Sequence, residues 1–285
     1  MRFSIVVPAH NEAAFLAATL TTLQEQDFAG AYEVIVVDNA STDDTATLAR
    51  SYGVRVVDEP ERGVCAARQR GADVATGDYL VSVDADTLYP PTWLSTIDRT
   101  IRQAENVIAV GGPCRYDRAP WWVVAFVGLL FGLVDLVSRT TGVVGYVSAA
   151  NLAIRRTAFP GYDRTLTQGG DELDLLRRLR RRGRVVWDPT NAVTTSPRRL
   201  VRGLFYSLVV SLGVHYLLAY AVNRLTGRQA LGMAPAFRRV SAFPVRRRGL
   251  VRLALAVGVA TAVAGLVGLA GPAAASDLAQ LWARR

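Results

Sequence analysis

The sequence contains no lysine, so all 33 side chains counted as lysine or arginine are arginine. GC-rich coding accounts for that absence, which is a genomic bias and not a mechanism. A guanidinium still suits phosphate recognition through its planar fork of donors. Cysteine is nearly absent too. Cys65 and Cys114 lie far apart and lack metal-ligand spacing, which excludes a cysteine-built metal centre. They read as free thiols in a reducing compartment, with a disulfide left open. No aromatic-interleaved basic stretch is present, which removes nucleic acid from the expected partners. The N-terminus runs directly into Phe3–Val7 and Pro8 without a basic region and a long apolar core. No signal peptide is expected there, and the N-terminal part is expected to stay in the cytosol.

What is present is a 285-residue chain, 51% hydrophobic yet 20% charged, with net charge +9. That mixture suits a globular core joined to membrane-seeking segments. The arginines concentrate after residue 155, beside apolar stretches, so the basic charge points to an anionic membrane.

The first hundred residues alternate strand-like and helix-like segments. Phe3–Val7, Tyr32–Val37, Val54–Val57 and the run from Tyr79 are β-branched or apolar. Between them, Asn11 is expected to cap a helix carrying Phe15, Leu16, Leu20 and Leu23. Ser41 to Asp44 offer caps for a second helix, which Gly53 ends. Val64 to about Ala75 forms a third. This order predicts an α/β fold with a largely parallel sheet and ligands beyond the carboxyl ends of its strands. Polar residues collect at those ends: Asn11 and Glu12, Asp38 and Asn39, then Asp84 and Asp86. Two aspartates at i and i+2 in a strand share a face and suit a hard divalent cation, although Asp-x-Asp is also common in turns.

Downstream, a helix is expected around Thr92–Ala104 and a strand at Val107–Val110. Trp121–Val137 is apolar except for Asp135 and reaches about 26 Å at about 1.5 Å per residue. It reads either as a buried core helix or as an interfacial segment with Trp121 and Trp122 at headgroup level. From Asp171 the pattern turns helical. Asp171 and Glu172 are there either as favourable charges of a helix N-terminus or as catalytic carboxylates.

Composition changes after residue 197, which divides the chain into 1–197 and a membrane-associated region, 198–285. Leu204–Val222 and Leu253–Ala270 are its apolar runs, and a transmembrane helix is expected near 251–271. Two spans would put the seven arginines from Arg224 to Arg248 outside, against the positive-inside tendency. One interfacial segment followed by one span keeps them inside. A hairpin with a tucked linker remains a third arrangement.

Several stretches, in order, resemble family-2 glycosyltransferases: Val6 to Glu12, Val36 to Thr45, Gly63 to Arg68, Gly77-Asp78, Asp84-Ala85-Asp86, Asn151 to Arg156, and Gly170 to Leu175. The resemblance covers roughly residues 3–190. It implies the GT-A nucleotide-sugar-binding fold and a UDP- or GDP-sugar donor. It also implies that Pro8, Glu12, Asp38 and Asp84 hold base and ribose, with Arg68 on the nucleotide or phosphate side. Asp86 would bind a divalent cation, Mn2+ or Mg2+. The acidic pair supplies the base: Glu172 stands in the usual position, and Asp171 serves after a one-residue shift. No Gln-x-x-Arg-Trp signature is present, which argues against a processive polymerase. The expectation is an inverting enzyme at the cell membrane, with its catalytic domain on the cytoplasmic face and a lipid-linked acceptor, a polyprenyl phosphate or glycolipid. A polysaccharide or hydrophobic small-molecule acceptor, and a non-catalytic sugar-nucleotide-binding module, are the alternatives. Nucleotidyl transfer usually needs a Gly-rich N-terminal loop, and Pro8 to Glu12 is not one.

Overall fold

A computed structural model of the chain describes residues 1–164, 166, 170–199 and 222. Apart from residue 222, both apolar runs beyond residue 204, and with them the expected membrane helices, lie outside the described residues. The chain begins β1 (Phe3–Ala9), α1 (Ala13–Gln24), β2 (Tyr32–Asp38), α2 (Thr45–Ser51), β3 (Arg55–Asp58), α3 (Val64–Val74) and β4 (Tyr79–Ser82). A two-residue strand, β5 (Thr87–Leu88), precedes α4 (Trp93–Gln103), β6 (Val107–Gly111), β7 (Cys114–Tyr116) and the long α5 (Trp121–Thr141). Then come β8 (Leu152–Arg155), α6 (Gly170–Arg180), β9 (Arg184–Trp187) and β10 (Val193–Thr195), with a short 3-10 turn at Pro197–Arg199.

Seven strands form one sheet in the order β3-β2-β1-β4-β8-β6-β9. β8 runs antiparallel to β4 and β6, and the other pairings are parallel. Side chains of β1 alternate between two apolar layers. Phe3, Ile5 and Val7 pack with Leu16, Leu20 and Leu23 of α1 and with Trp93 and Ile97 of α4. Val6 faces the other way, among Ile35, Val37, Leu80 and Ala67 of α3. Burial on both faces is why these strands are unbroken apolar runs, and each fully buried leucine contributes about 1.5–3 kcal/mol. Gly71 lets α3 lie close on β1, because a Cβ there would stand 2.2 Å from a Val6 methyl. A third cluster seats Leu175, Leu176 and Leu179 of α6 on Ile108, Leu152 and Ile154.

Three local expectations change. Asn11 does not cap α1: it takes a left-handed φ of 53°, and Glu12 stands at the cap. Its side chain is used across the strand ends, as described below. The run from Tyr79 leaves the sheet at Ser82, so Asp84 and Asp86 sit in the turn before β5 and not on one strand face. The expected helix at Trp121–Val137 extends four residues further, to Thr141, where Gly142 closes it in a left-handed conformation. It is neither fully buried nor detached. Trp122, Val123, Val127 and Val134 are buried, while Trp121, Val124, Leu129 and Leu136 face outward.

Candidate active site

The carboxyl ends of β1, β2 and β4 lie on one edge of the sheet. Antiparallel β8 starts at that edge, since Leu152 pairs with Ser82 and with Gly111. The loops after β1 and β2 are stapled together. Asn11 Nδ2 donates to Thr42 Oγ1 at 3.1 Å, and the Thr42 N–H returns to Asn11 Oδ1 at 2.6 Å. The Asn11 and Glu12 amides donate to the hydroxyls of Ser41 and Thr45. Buried Asn39 donates to the Glu59 and Glu61 carbonyls and accepts from the Gly63 N–H, which ties β2 to the start of α3. The result is a cradle formed by the chain itself, with Pro8 at the end of β1 in register with Val37. At its floor, Asp38 Oδ1 is buried and meets no hydrogen-bond donor among the described residues. A buried carboxylate oxygen without a donor costs free energy, so the position suits an N–H or O–H brought by a ligand.

The turn after β4 is fixed from three sides. The Asp84 N–H donates to the Tyr89 hydroxyl at 3.1 Å, and that hydroxyl donates to the Ala150 carbonyl. The Asp84 side chain pairs with Arg68 at 2.9 Å. The Asp86 carbonyl accepts from the Ser196 N–H. Asn151 braces the neighbouring segment by accepting from Trp93 Nε1 and donating to the Asn191 carbonyl.

Arg68 does not line the cradle. Its side chain is 2% exposed, beneath the site, with one end on Asp84 and the other on Asp171 at 2.5 Å. The expected nucleotide-side arginine is therefore an internal bridge between the turn after β4 and the first turn of α6. Asp171, fully buried, is committed to that bridge. Glu172 points elsewhere: it accepts from the Ala149 N–H at 2.7 Å and from the Tyr146 hydroxyl at 3.0 Å. The two acidic residues left open by the sequence thus stand in different surroundings.

Both cysteines are free and buried. Burial, with help from the Asp171 charge, pushes the Cys65 thiol well up, and burial pushes Cys114 up to about 12. Neither is a thiolate nucleophile at neutral pH.

Arg198 is the residue that sequence reasoning missed. It follows β10 and reaches back to Glu12 with a bidentate pair of 2.6 and 2.8 Å. Its Nε lies 2.8 Å from Asp86 Oδ2, and its guanidinium stacks over the Phe15 ring. No local signal marks it in an arginine-rich stretch. Asp86 offers hard carboxylate oxygens of the kind a divalent cation takes. No group of three or more His, Cys, Asp or Glu arranged for a metal occurs among the described residues. The remaining ligands would come from substrate phosphates, a usual arrangement for Mg2+-like ions.

The family model described as Glycosyl transferase family 2 matches residues 4–160, more than half of the chain. The chain belongs to that family. Among curated relatives, it is 36% identical over 110 residues to a PGL/p-HBAD biosynthesis glycosyltransferase of Mycobacterium bovis, covering 36% of this chain and 43% of that one. It is 37% identical over 92 residues to the amylovoran biosynthesis glycosyltransferase AmsB of Erwinia amylovora, covering 30% of each. The chain thus spans less than half the length of these relatives. Among solved structures, the mannosyltransferase PcManGT of Pyrobaculum calidifontis, in complex with GDP-Man and Mn2+, superposes with a TM-score of 0.62. It is 22% identical and covers 99% of this chain and 79% of that one. Glucosyl-3-phosphoglycerate synthase of Mycobacterium tuberculosis, in complex with Mn2+, UDP-glucose and phosphoglyceric acid, gives 0.55 at 21% identity, with 79% of each chain covered. The family-2 chain has the GT-A fold expected of it, a mostly parallel α/β sheet.

Proposed function

We propose that this family-2 protein is a membrane-bound, metal-dependent inverting glycosyltransferase that moves a sugar from a UDP- or GDP-sugar to a hydroxyl of a lipid-linked acceptor. One observation carries the reading. Two carboxylate centres with different surroundings, Asp84/Asp86 and Glu172, lie on either side of the buried Arg68 bridge. A transferase needs such a division, one side for the leaving diphosphate and one for the attacking group.

In this reading, Asp38 accepts from the base, Pro8 and Glu12 border it, and Asp84 takes the ribose side. Asp86 would hold the divalent cation, which would supply positive charge against the leaving diphosphate. Glu172 removes the acceptor proton as the acceptor oxygen bonds to the anomeric carbon and the bond to the diphosphate oxygen breaks. The hydrogen bonds from the Ala149 N–H and the Tyr146 hydroxyl hold the carboxylate in one orientation for that transfer. Direct displacement of this kind inverts the anomeric centre, and no side-chain nucleophile is needed. A placed base also favours a hydroxyl over a phosphate acceptor, since a phosphate is already ionised at neutral pH.

Support for a membrane comes from α5. This 21-residue helix is long and apolar enough to cross a bilayer, with a mean hydropathy of 2.0 over its most apolar 18-residue window and only 22% of that window buried in the domain. We read its outward face, with Trp121 at one end, as lying in the membrane interface on the cytoplasmic side. The test is incubation of the full chain in membranes with a panel of nucleotide sugars, followed by mass spectrometry of the lipids. One donor is expected to add one hexose-sized unit to a lipid hydroxyl. Transfer only to water-soluble acceptors would contradict the lipid assignment.

A further inference from the structure

The position that suits a metal is already held by a cation. Arg198 meets Asp86 and both oxygens of Glu12, and it has a ring beneath it and little exposure to solvent. The two carboxylates come from loops after different strands, β1 and β4, and Arg198 comes from beyond β10. Three segments distant in sequence therefore meet through one guanidinium. A divalent ion arriving alone at Asp86 must break the Asp86–Arg198 pair. It also leaves a second positive charge a few ångströms away, with Arg198 still paired to Glu12. Both effects oppose entry. A nucleoside diphosphate changes the balance, because its phosphates supply oxygens to the ion and an anion for the displaced guanidinium.

We propose that Arg198 is a tethered cation that competes with the divalent ion for Asp86, so that metal enters this site together with a nucleoside diphosphate and not before it. The inference rests on the metal-dependent reading of the site given above. It implies that metal and nucleotide raise each other's affinity by the same factor, as linkage requires. Arg198 is thus a positioning residue. It keeps the Glu12 loop and the Asp86 turn together while the site holds no donor.

The experiment is an electron paramagnetic resonance titration of Mn2+ into the full chain, alone and with saturating UDP or GDP, reading free Mn2+. Without nucleotide, Arg198→Gln is expected to bind Mn2+ at least about tenfold more tightly than the native protein, a modest share of the repulsion between charges this close. Phe15→Leu removes the ring under the guanidinium and keeps the charge. It should shift Mn2+ affinity the same way by roughly two- to tenfold, and it serves if the glutamine variant does not fold. With nucleotide present, native and variant affinities should converge. Equal Mn2+ affinity of native and variant proteins without nucleotide, where nucleotide still promotes binding, overturns this inference and leaves the proposed function standing. Absence of Mn2+ binding to any of them, even with nucleotide, overturns both.

Discussion

Replacing Glu172 by glutamine is expected to lower sugar transfer to a hydroxyl acceptor by about 10²–10⁴-fold, the usual contribution of a positioned general base. Glutamine preserves size, and its carbonyl can still accept from the Ala149 N–H or the Tyr146 hydroxyl. What disappears is the capacity to take a proton. The loss should therefore fall on kcat with nucleotide affinity unchanged, because Glu172 and the Asp38 cradle arise from different loops. Steady-state kinetics with the lipid acceptor, paired with calorimetry of the nucleotide, separates the two. A fall of less than about tenfold would show that the acceptor needs no base of this strength, as a phosphate acceptor would not.

Asp171→Asn is expected to act mainly on stability. Arg68 and Asp171 form an ion pair with 2% and 0% side-chain exposure, and removing one charge leaves the other in the interior. Breaking a buried pair costs about 3–5 kcal/mol, and the retained Asp84 contact places this case at the lower end. For a domain of this size about 3 kcal/mol lowers Tm by roughly 6–12 °C. A double variant, Arg68→Met with Asp171→Leu, should recover most of that stability, since apolar groups replace buried ions at little cost. It should not recover activity, because Asp84 loses the partner that fixes its side chain. A melting temperature unchanged in Asp171→Asn would show that the bridge does not hold α6 to the turn after β4.

Much of this was legible in the sequence, and the reason is burial. β1, β2 and β4 are covered on both faces, so they appear as short apolar runs, and each ends where a polar residue leaves the sheet. That placed Asp38, Asp84 and Asp86 at one edge before any coordinates. The small sheet β5-β10-β7 was not legible, because its strands of two or three residues exist only through pairing with distant segments. The reversal of β8 was equally hidden, since direction leaves no mark on Leu152–Arg155. Asn11 looked like a helix cap because caps and loop staples use the same side chain. The different surroundings of Asp171 and Glu172 turned on Arg68, 103 residues away from Asp171. Arg198 was hidden for the same reason, since its partner Glu12 lies 186 residues earlier.

The central claim is that the strand-end carboxylates serve a nucleotide-sugar donor. Its most direct test is release of nucleoside diphosphate from a panel of UDP- and GDP-sugars by the full chain in lipid, with and without Mn2+. The account predicts that at least one donor is consumed, that chelation stops the reaction, and that Asp86→Ala abolishes it. Consumption of no donor under any of these conditions, or consumption that Asp86→Ala leaves intact, would contradict it.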